Sequence, residues 1–196
     1  HFEEIYQTCW DLMCENHPDV PAGSTNIHQS WEVADPEKWV PKGFVIIRVD
    51  SRGAGRSPGY LEHWSPRETQ DFAVCIDWAG VQPWSNGKVG LSGISYYAVN
   101  QWQVAALQPK HLAAICPWEG FNDFYRELAY QGGIYNSFAR HWYDMQILKI
   151  QHGYGDRGWA SRANGELAAG PVTLSNEELA ANRYDLYQAY ISHPLD

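Results

Sequence analysis

The chain has 196 residues, of which 44% are hydrophobic, and this composition is typical of a globular chain with enough length for one substantial core. Its net charge of −9 and its lack of a basic cluster exclude nucleic acid as an expected partner. No apolar run approaches the roughly 20 residues that cross a bilayer, so no membrane association is expected either. No secretory signal is visible, which favours a cytoplasmic location. The first residue is His1 and not Met, so the true N-terminus is expected to lie upstream, and a signal removed from it is the alternative.

The first predicted element is a helix over residues 3–16, where apolar side chains recur at helical spacing. Two of its residues, Cys9 and Cys14, together with His17, form the one grouping that could suggest a metal site. No second pair of ligands completes such a site, so neither a metal nor a cofactor is expected.

The stretch "GFVIIRVD", residues 43–50, is predicted to be a strand buried on both faces, because it is a short apolar run, rich in strand-forming residues, with no polar alternation except Arg48. A glycine-rich turn, "DSRGAGRSPG", follows it, and Gly53 and Gly55 are expected to adopt positive φ. Arg52 is expected to pair with a nearby carboxylate and to be structural. The turn differs from a dinucleotide-binding fingerprint, since Pro58 stands where the third glycine belongs.

The next helix is predicted to begin after Ser65, with Pro66 at its first position and Glu68 completing a capping box. A second short strand, "KVGLS", a helix ending before Pro109 and a third apolar run, "LAAICPW", come next. Cys75 and Cys116 lie in apolar stretches of this region and are expected to be buried thiols. Alternation of strands and helices predicts a mostly parallel, doubly wound α/β sheet.

The pattern changes after about residue 121. Residues 123–152 and 175–191 are predicted to be helical, and no further run resembles a buried strand. Residues 1–120 are therefore expected to form part of an α/β core, and residues 121–196 a helical cap over the edge of its sheet.

Two serines, Ser92 and Ser95, lie near glycines in "GLSGISYYAVNQ" without fitting the G-x-S-x-G pattern of a nucleophile. Ser92 lies in or at the end of a strand, whereas Ser95 lies where the strand has ended and the helix begins. A catalytic serine needs that sharp turn, and Gly93 would let the strand and the helix approach each other. Tyr97 occupies the usual position of a glycine. The alternative is that Ser95 is simply the N-cap of the helix.

The stretches "DSRGAGRSPG", "CIDWAGVQPWSNGKVGLSGISYYAVNQWQVAALQP" and "LAAICPWEGFNDFYR" together resemble the cocaine-esterase-like CocE/NonD α/β hydrolases, which are related to the X-Pro dipeptidyl-peptidases. The nucleophile motif of that family is G-x-S-Y, which Gly93-Ile94-Ser95-Tyr96 matches. The family usually has a glycine where this chain has Ala98. Similarity extends from about Trp31 to Tyr143.

The resemblance implies that Ser95 is the nucleophile and that the backbone N–H of Tyr96 is one donor to the oxyanion. It also implies a cap that starts at about Asp123, with Trp118 and Trp142 near the acyl pocket. For both tryptophans, plain packing is the alternative role.

The resemblance further implies that the triad acid and base follow later strands of the sheet. Asp144 with His152, and Asp185 with His193, have the right order after Ser95, but neither pair follows a predicted strand. The acid and the base are therefore expected outside this chain, together with the remaining core strands and the C-terminal β-sandwich of the family. Residues 1–196 alone are expected to be inactive.

The implied function is that of a serine hydrolase that cleaves a small ester or amide through an acyl-serine intermediate. The ten Trp and twelve Tyr exceed the needs of a core and favour an apolar acyl group. The alternative is a non-catalytic α/β-hydrolase-like binding module, or an inactive fragment. The expected partners are the substrate and the missing segments of the same hydrolase, and the sequence makes no prediction about the oligomeric state.

Overall fold

A computed structural model describes residues 14–25, 27–28, 32–153, 165–167 and 175–181. Six α-helices lie wholly in these ranges: α1 Pro36–Trp39, α2 Pro66–Gly80, α3 Tyr96–Ala106, α4 Phe138–Trp142, α5 Leu148–Ile150 and α6 Asn176–Ala181. Residues 14–16 are helical as well. The strands are β1 Val89–Ile94, β2 Leu112–Trp118, β3 Tyr130–Gln131 and β4 Ile134–Tyr135. A 3₁₀ turn covers Val40–Lys42, and two π-helical turns cover Tyr125–Ala129 and Tyr143–Ile147.

The centre of the fold is a β–α–β unit. Strands β1 and β2 pair in parallel, and α3 connects them and packs against both. Helix α2 contacts α3 and β1. Side chains on the inner surfaces of the two helices are buried in this layer: Ile76, Ala79, Ala98, Val99, Gln101 and Val104. The predicted parallel strands joined by a helix are confirmed for this unit.

The buried amide of Gln101 joins α3 to the strands. Its Nε2 donates to the carbonyl of Tyr97 at 2.7 Å, and its Oε1 accepts the backbone N–H of Cys116 in β2 at 2.8 Å. A buried amide with its hydrogen bonds made stabilises packing that an unpaired one would disrupt. The polar residue at this apolar interface therefore fixes the position of α3 over the strands.

The prediction of a buried strand at residues 43–50 is wrong. Residues 44–50 form no strand, and Phe44, Val45 and Val49 are each more than half exposed. The apolar run indicates a segment suited to burial, but burial requires a paired neighbour and a covering layer. Within the described residues, β1 pairs with β2 alone, and no ladder joins residues 44–50 to them.

Cys116 is also exposed rather than buried, since its side of β2 has no cover among the described residues.

The turn after this segment has the predicted form. Gly53 and Gly55 have φ of 77° and 55°. Arg52 Nε and Nη2 donate to the two carboxylate oxygens of Asp71 in α2, at 2.7 Å and 2.8 Å. The expected pairing of Arg52 with a carboxylate is therefore confirmed, and the pair fastens the turn to the helix.

We expect Arg52→Ala to lower the melting temperature of the protein while leaving KM within about twofold of its native value. Loss of the bidentate pair frees the turn from α2, although the pair is exposed and its contribution is therefore modest. Thermal melts and steady-state kinetics of the same preparation check this. Arg67→Ala is the control, because Arg67 meets Glu62 only at 3.9 Å. A large rise in KM at unchanged melting temperature would place Arg52 in the substrate site.

The segment after residue 121 is helical only in part. The predicted helix over residues 123–152 is interrupted by the antiparallel pair β3–β4, whose turn contains Gly132 and Gly133 with φ of 63° and 82°. Two strands of two residues leave no periodic signal, so the sequence pattern misses them. Helix α6 lies within the predicted helix 175–191, of which residues 182–191 fall outside the described residues. Of the predicted helix 3–16, residues 14–16 are helical and residues 3–13 fall outside the described residues. Among the described helices, none has the length and apolarity needed to cross a bilayer.

Candidate active site

Ser95 lies in the turn between β1 and α3, with φ of 56° and ψ of −115°. These angles fall outside the main regions allowed to L-residues, and such a conformation costs about 1–3 kcal/mol. The surrounding structure holds it in place from both sides. The N–H of Ser95 donates to the carbonyl of Trp118 at 3.0 Å, and its carbonyl accepts the N–H groups of Ala98 and Val99.

The N-cap alternative for Ser95 can be judged against Ser65, which caps α2 in the same chain. Ser65 has extended backbone angles, φ −80° and ψ 160°, and its Oγ accepts the N–H of Glu68 at 3.1 Å. That is the geometry of an N-cap serine. Ser95 has neither the angles nor a capping hydrogen bond, and its side chain is exposed. Among the described residues, its Oγ has no hydrogen-bond partner. The geometry of Ser95 is therefore that of a strained strand-to-helix elbow.

The elbow leaves a backbone donor without a helical partner at the start of α3. Tyr96 is the first residue of α3, so its N–H has no acceptor within the helix. The first N–H groups of a helix, together with the helix dipole, favour negative charge at this end. The Tyr96 N–H is therefore free of a helical acceptor beside Ser95, and its role as a donor to an oxyanion stays a prediction.

Gly93 is buried two residues before Ser95, and its lack of a side chain is a packing requirement. A Cβ at this position would overlap with the Cβ of Tyr97 in the first turn of α3. On the far side of the same turn, a Cβ on Gly120 would lie 2.8 Å from the Cβ of Ala98. Small residues are therefore required where the strand, the helix and the loop after β2 meet.

Ser92 occupies an ordinary strand position. It lies within β1 and is opposite Cys116 in the register of the parallel pair. It shares neither the backbone angles of Ser95 nor its place at the start of a helix. Of the two candidate serines, only Ser95 lies in the elbow.

The side chain of Tyr96 is largely buried between a carboxylate and aromatic rings. Its hydroxyl donates to Oε2 of Glu68 at 2.6 Å, and its ring stacks on Trp64 at a centroid distance of 4.7 Å. The pKa of Tyr96 lies well above its ordinary value of 10.0, first because of burial and then because of the charge of Glu68. The phenol therefore remains a donor at any ordinary pH.

Glu68 departs from its predicted role. Half of the expected capping box forms, since Ser65 accepts the N–H of Glu68, but the carboxylate does not return to the N–H of Ser65. It accepts instead from Tyr96, from the N–H of Trp64 at 2.6 Å and from the hydroxyl of Ser51 at 2.7 Å. The S-x-x-E spacing accounts for the cap but gives no signal for partners that lie far along the chain.

Trp142 and Trp118 lie in different environments. Trp142 is 8% exposed and belongs to a buried cluster with Ala54, Leu61, Tyr143, Ile147 and Leu148. Its ring stacks on Trp64 at 5.2 Å and lies 6.0 Å from Tyr96, and its Nε1 donates to Gln146. Trp118 ends β2 beside Ser95 and is 60% exposed. Packing thus explains Trp142, while Trp118 remains open to a ligand; for both, a role in an acyl pocket stays a prediction.

His152 is engaged with the glycine turn. Its backbone N–H donates to the carbonyl of Gly53 at 2.7 Å, and its Nδ1 lies 3.0 Å from the carbonyl oxygen of Gly55. A triad histidine directs Nδ1–H to the triad carboxylate. In His152 that nitrogen faces a backbone carbonyl instead, which weakens the case for a triad with Asp144. The other sequence candidates, Asp185 and His193, lie outside the described residues.

His63 contacts the rings of Trp64, Trp142 and Tyr143 beneath the elbow, and burial lowers its pKa from 6.5 to about 4. The unfolded chain binds a proton at this site near pH 6.5, whereas the folded protein does so only near pH 4. The free energy of unfolding should therefore decrease as the pH falls through this window. The limiting slope is about 1.4 kcal/mol per pH unit.

Urea unfolding of His63→Gln and of the native protein at several values between pH 7 and pH 4.5 checks this expectation. The variant should lose stability less steeply, because it carries no titrating group at this position. His17→Gln, at an exposed position, is the control and should follow the native curve. A variant of His63 with the native slope would contradict the expectation.

Parallel strands joined by a helix, with a serine in a strained turn between strand and helix, define a partial α/β-hydrolase fold. The chain belongs to the X-Pro dipeptidyl-peptidase family (S15 family), whose sequence model matches residues 16–192. The resemblance inferred from the motifs is thereby confirmed.

Two relatives illustrate how the chain compares with known proteins. It is 33% identical over 97 residues to the cocaine esterase of a Rhodococcus species, a match that covers 49% of this chain and 17% of the esterase. It superposes on a CocE/NonD family hydrolase from Staphylococcus aureus with a TM-score of 0.64 and 40% identity, covering 85% of this chain and 26% of that one. The chain thus spans about a sixth to a quarter of the length of these relatives.

Proposed function

We propose that the chain carries the nucleophile of a serine hydrolase that cleaves an ester or amide bond through an acyl-serine intermediate. The observation that carries the proposal is the backbone of Ser95, with φ of 56° and ψ of −115° and no capping hydrogen bond. A strained conformation persists where the structure around it maintains it, and such positions cluster at functional sites. Membership of a hydrolase family supports the same role.

The chemistry follows from the elbow. A general base takes the proton of Ser95 Oγ, which attacks the substrate carbonyl and forms a tetrahedral intermediate. The backbone N–H of Tyr96 donates to the developing oxyanion. The protonated base then gives its proton to the leaving alcohol or amine. Water, deprotonated by the same base, hydrolyses the acyl-serine ester and restores Ser95.

The acid and the base of the triad are proposed to come from polypeptide outside residues 1–196. The position of His152 supports this, since its Nδ1 faces the carbonyl of Gly55. The absence of any described hydrogen-bond partner for Ser95 Oγ also agrees with it. The substrate is proposed to carry an apolar acyl group, which the exposed Trp118 at the neighbouring strand end could contact.

Burst kinetics test the proposal on the intact protein. With p-nitrophenyl butyrate, we expect an initial release of nitrophenol stoichiometric with enzyme, followed by slower turnover, because the acyl-serine accumulates. Acid-quenched protein should then carry one butyryl group. Turnover with no acyl group on the quenched protein would contradict the covalent route. No turnover of any ester or anilide in a broad panel would favour the non-catalytic binding module.

A further inference from the structure

The carboxylate of Glu68 lies where three separate segments of the chain meet. Its Oε2 accepts the hydroxyl of Tyr96 at 2.6 Å and the backbone N–H of Trp64 at 2.6 Å. Its Oε1 accepts the hydroxyl of Ser51 at 2.7 Å. The side chain is partly buried, and hydrogen bonds to a charged group are roughly twice as strong as neutral ones. One residue of α2 thus joins the glycine turn, the loop before α2 and the elbow.

The link to the elbow passes through a single residue. Tyr96 follows Ser95 directly, so a single peptide unit connects the residue that carries the Tyr96 ring to the Ser95 backbone. The carbonyl of this unit, that of Ser95, accepts the N–H groups of Ala98 and Val99, and the N–H of Ser95, in the preceding peptide unit, donates to the Trp118 carbonyl. The side-chain end is fixed by Glu68 and by stacking on Trp64.

We propose that Glu68 is a positioning residue for the nucleophile: by holding the Tyr96 hydroxyl, it fixes the first turn of α3 and with it Ser95 Oγ and the Tyr96 N–H. The inference rests on the proposed function of Ser95. The strain in Ser95 gives the physical reason, because such a conformation relaxes unless it is restrained at several points. Displacement of a reacting atom by about 1 Å costs on the order of 10²-fold in rate.

The chemistry of the side chain suggests three informative replacements. Glutamine can place its oxygen toward Tyr96 and Trp64 and its amide toward the Ser51 hydroxyl, which is able to accept. Methionine has similar length but accepts hydrogen bonds only weakly. Tyr96→Phe removes the same hydrogen bond from the other side, together with the longer one that the hydroxyl accepts from the Trp64 N–H at 3.3 Å, and leaves the backbone N–H of residue 96 unchanged. If Glu68 only fills space, methionine should replace it without loss. If Glu68 positions Tyr96 by hydrogen bonding, only glutamine should replace it.

The test is the second-order rate at which a fluorophosphonate labels Ser95 in the intact protein, well below each variant's melting temperature. We expect Glu68→Met and Tyr96→Phe each to lower the rate by about 10-fold or more, and Glu68→Gln to stay within about threefold. The Glu68→Met/Tyr96→Phe double variant should be no slower than the slower single one, because the bond between Glu68 and the Tyr96 hydroxyl is already lost in each single variant. Ser51→Ala is the control and should stay within about twofold.

Native labelling rates in both Glu68→Met and Tyr96→Phe would overturn the inference while leaving the nucleophile intact. A slow Glu68→Met with a native Tyr96→Phe would overturn it as well, since the effect would not pass through the phenol. If Glu68→Met fails to fold, Tyr96→Phe decides, because it removes a single oxygen. Absence of labelling in the native protein would contradict the proposed function itself, and this inference with it.

Discussion

Replacing Ser95 by alanine is expected to lower kcat of the intact protein by about 10⁴-fold or more, because the covalent route depends on this hydroxyl. KM and the melting temperature should change little. The Ser95 side chain is exposed and, among the described residues, makes no hydrogen bond, so its removal takes little from the fold. Steady-state kinetics on an activated ester, with a thermal melt of the same sample, measure the result.

Ser92→Ala is the matched control, since Ser92 lies three residues earlier and is also exposed. It holds a regular position in β1, opposite Cys116, and the variant should retain most of the activity. Equal losses from the two alanine variants would mean that the end of the strand has been misplaced. A loss of activity confined to Ser92→Ala would show that the nucleophile is Ser92, within the strand.

A second large effect is expected from Gly93→Ala. The added Cβ would overlap with the Cβ of Tyr97, and both atoms belong to or adjoin the backbone of the elbow, so the strand and the helix must move apart. We expect turnover to fall by about 10²-fold, because the shift displaces Ser95 Oγ relative to the Tyr96 N–H. The melting temperature should also fall, since Gly93 is buried and an added methyl group there strains its surroundings.

Gly90→Ala provides the comparison for this change. Gly90 lies in the same strand, and a Cβ there would have no atom within 4 Å. Its activity should remain within about twofold of native, measured in parallel below both melting temperatures. Equal activity in the Gly93 and Gly90 variants would show that the elbow tolerates a side chain and that its tight packing does not matter for turnover.

Local sequence signals account for most of the β–α–β unit. Ser65 and Pro66 mark the start of α2, and the apolar run "LAAICPW" has the bounds of β2. The cap succeeds because it depends on neighbouring residues, and the strand forms because β2 has β1 as a parallel partner. The run at 43–50 fails for the opposite reason. Its apolar composition is suited to burial, but burial depends on a partner strand, and no described residue supplies one.

Some features of the candidate site follow from local sequence, and others depend on residues far apart in the chain. The place of Ser95 between strand and helix follows from the sequence, and so does the small residue at Gly93. Whether Ser95 lies in an elbow or is an N-cap is decided by its φ. The sequence does not give this angle, because serine is found at N-caps as well as at elbows. The bond between Glu68 and Tyr96 joins residues 28 positions apart, and the local S-x-x-E pattern predicts only the capping bond.

The site at which a fluorophosphonate attaches to the intact protein, read by tandem mass spectrometry of the digested adduct, tests Ser95 as the nucleophile directly. We expect one phosphonyl group per chain, on Ser95, and its loss in Ser95→Ala. An adduct on Ser92 or on another residue, or no adduct in protein that melts cooperatively, would contradict the assignment of Ser95 as the nucleophile.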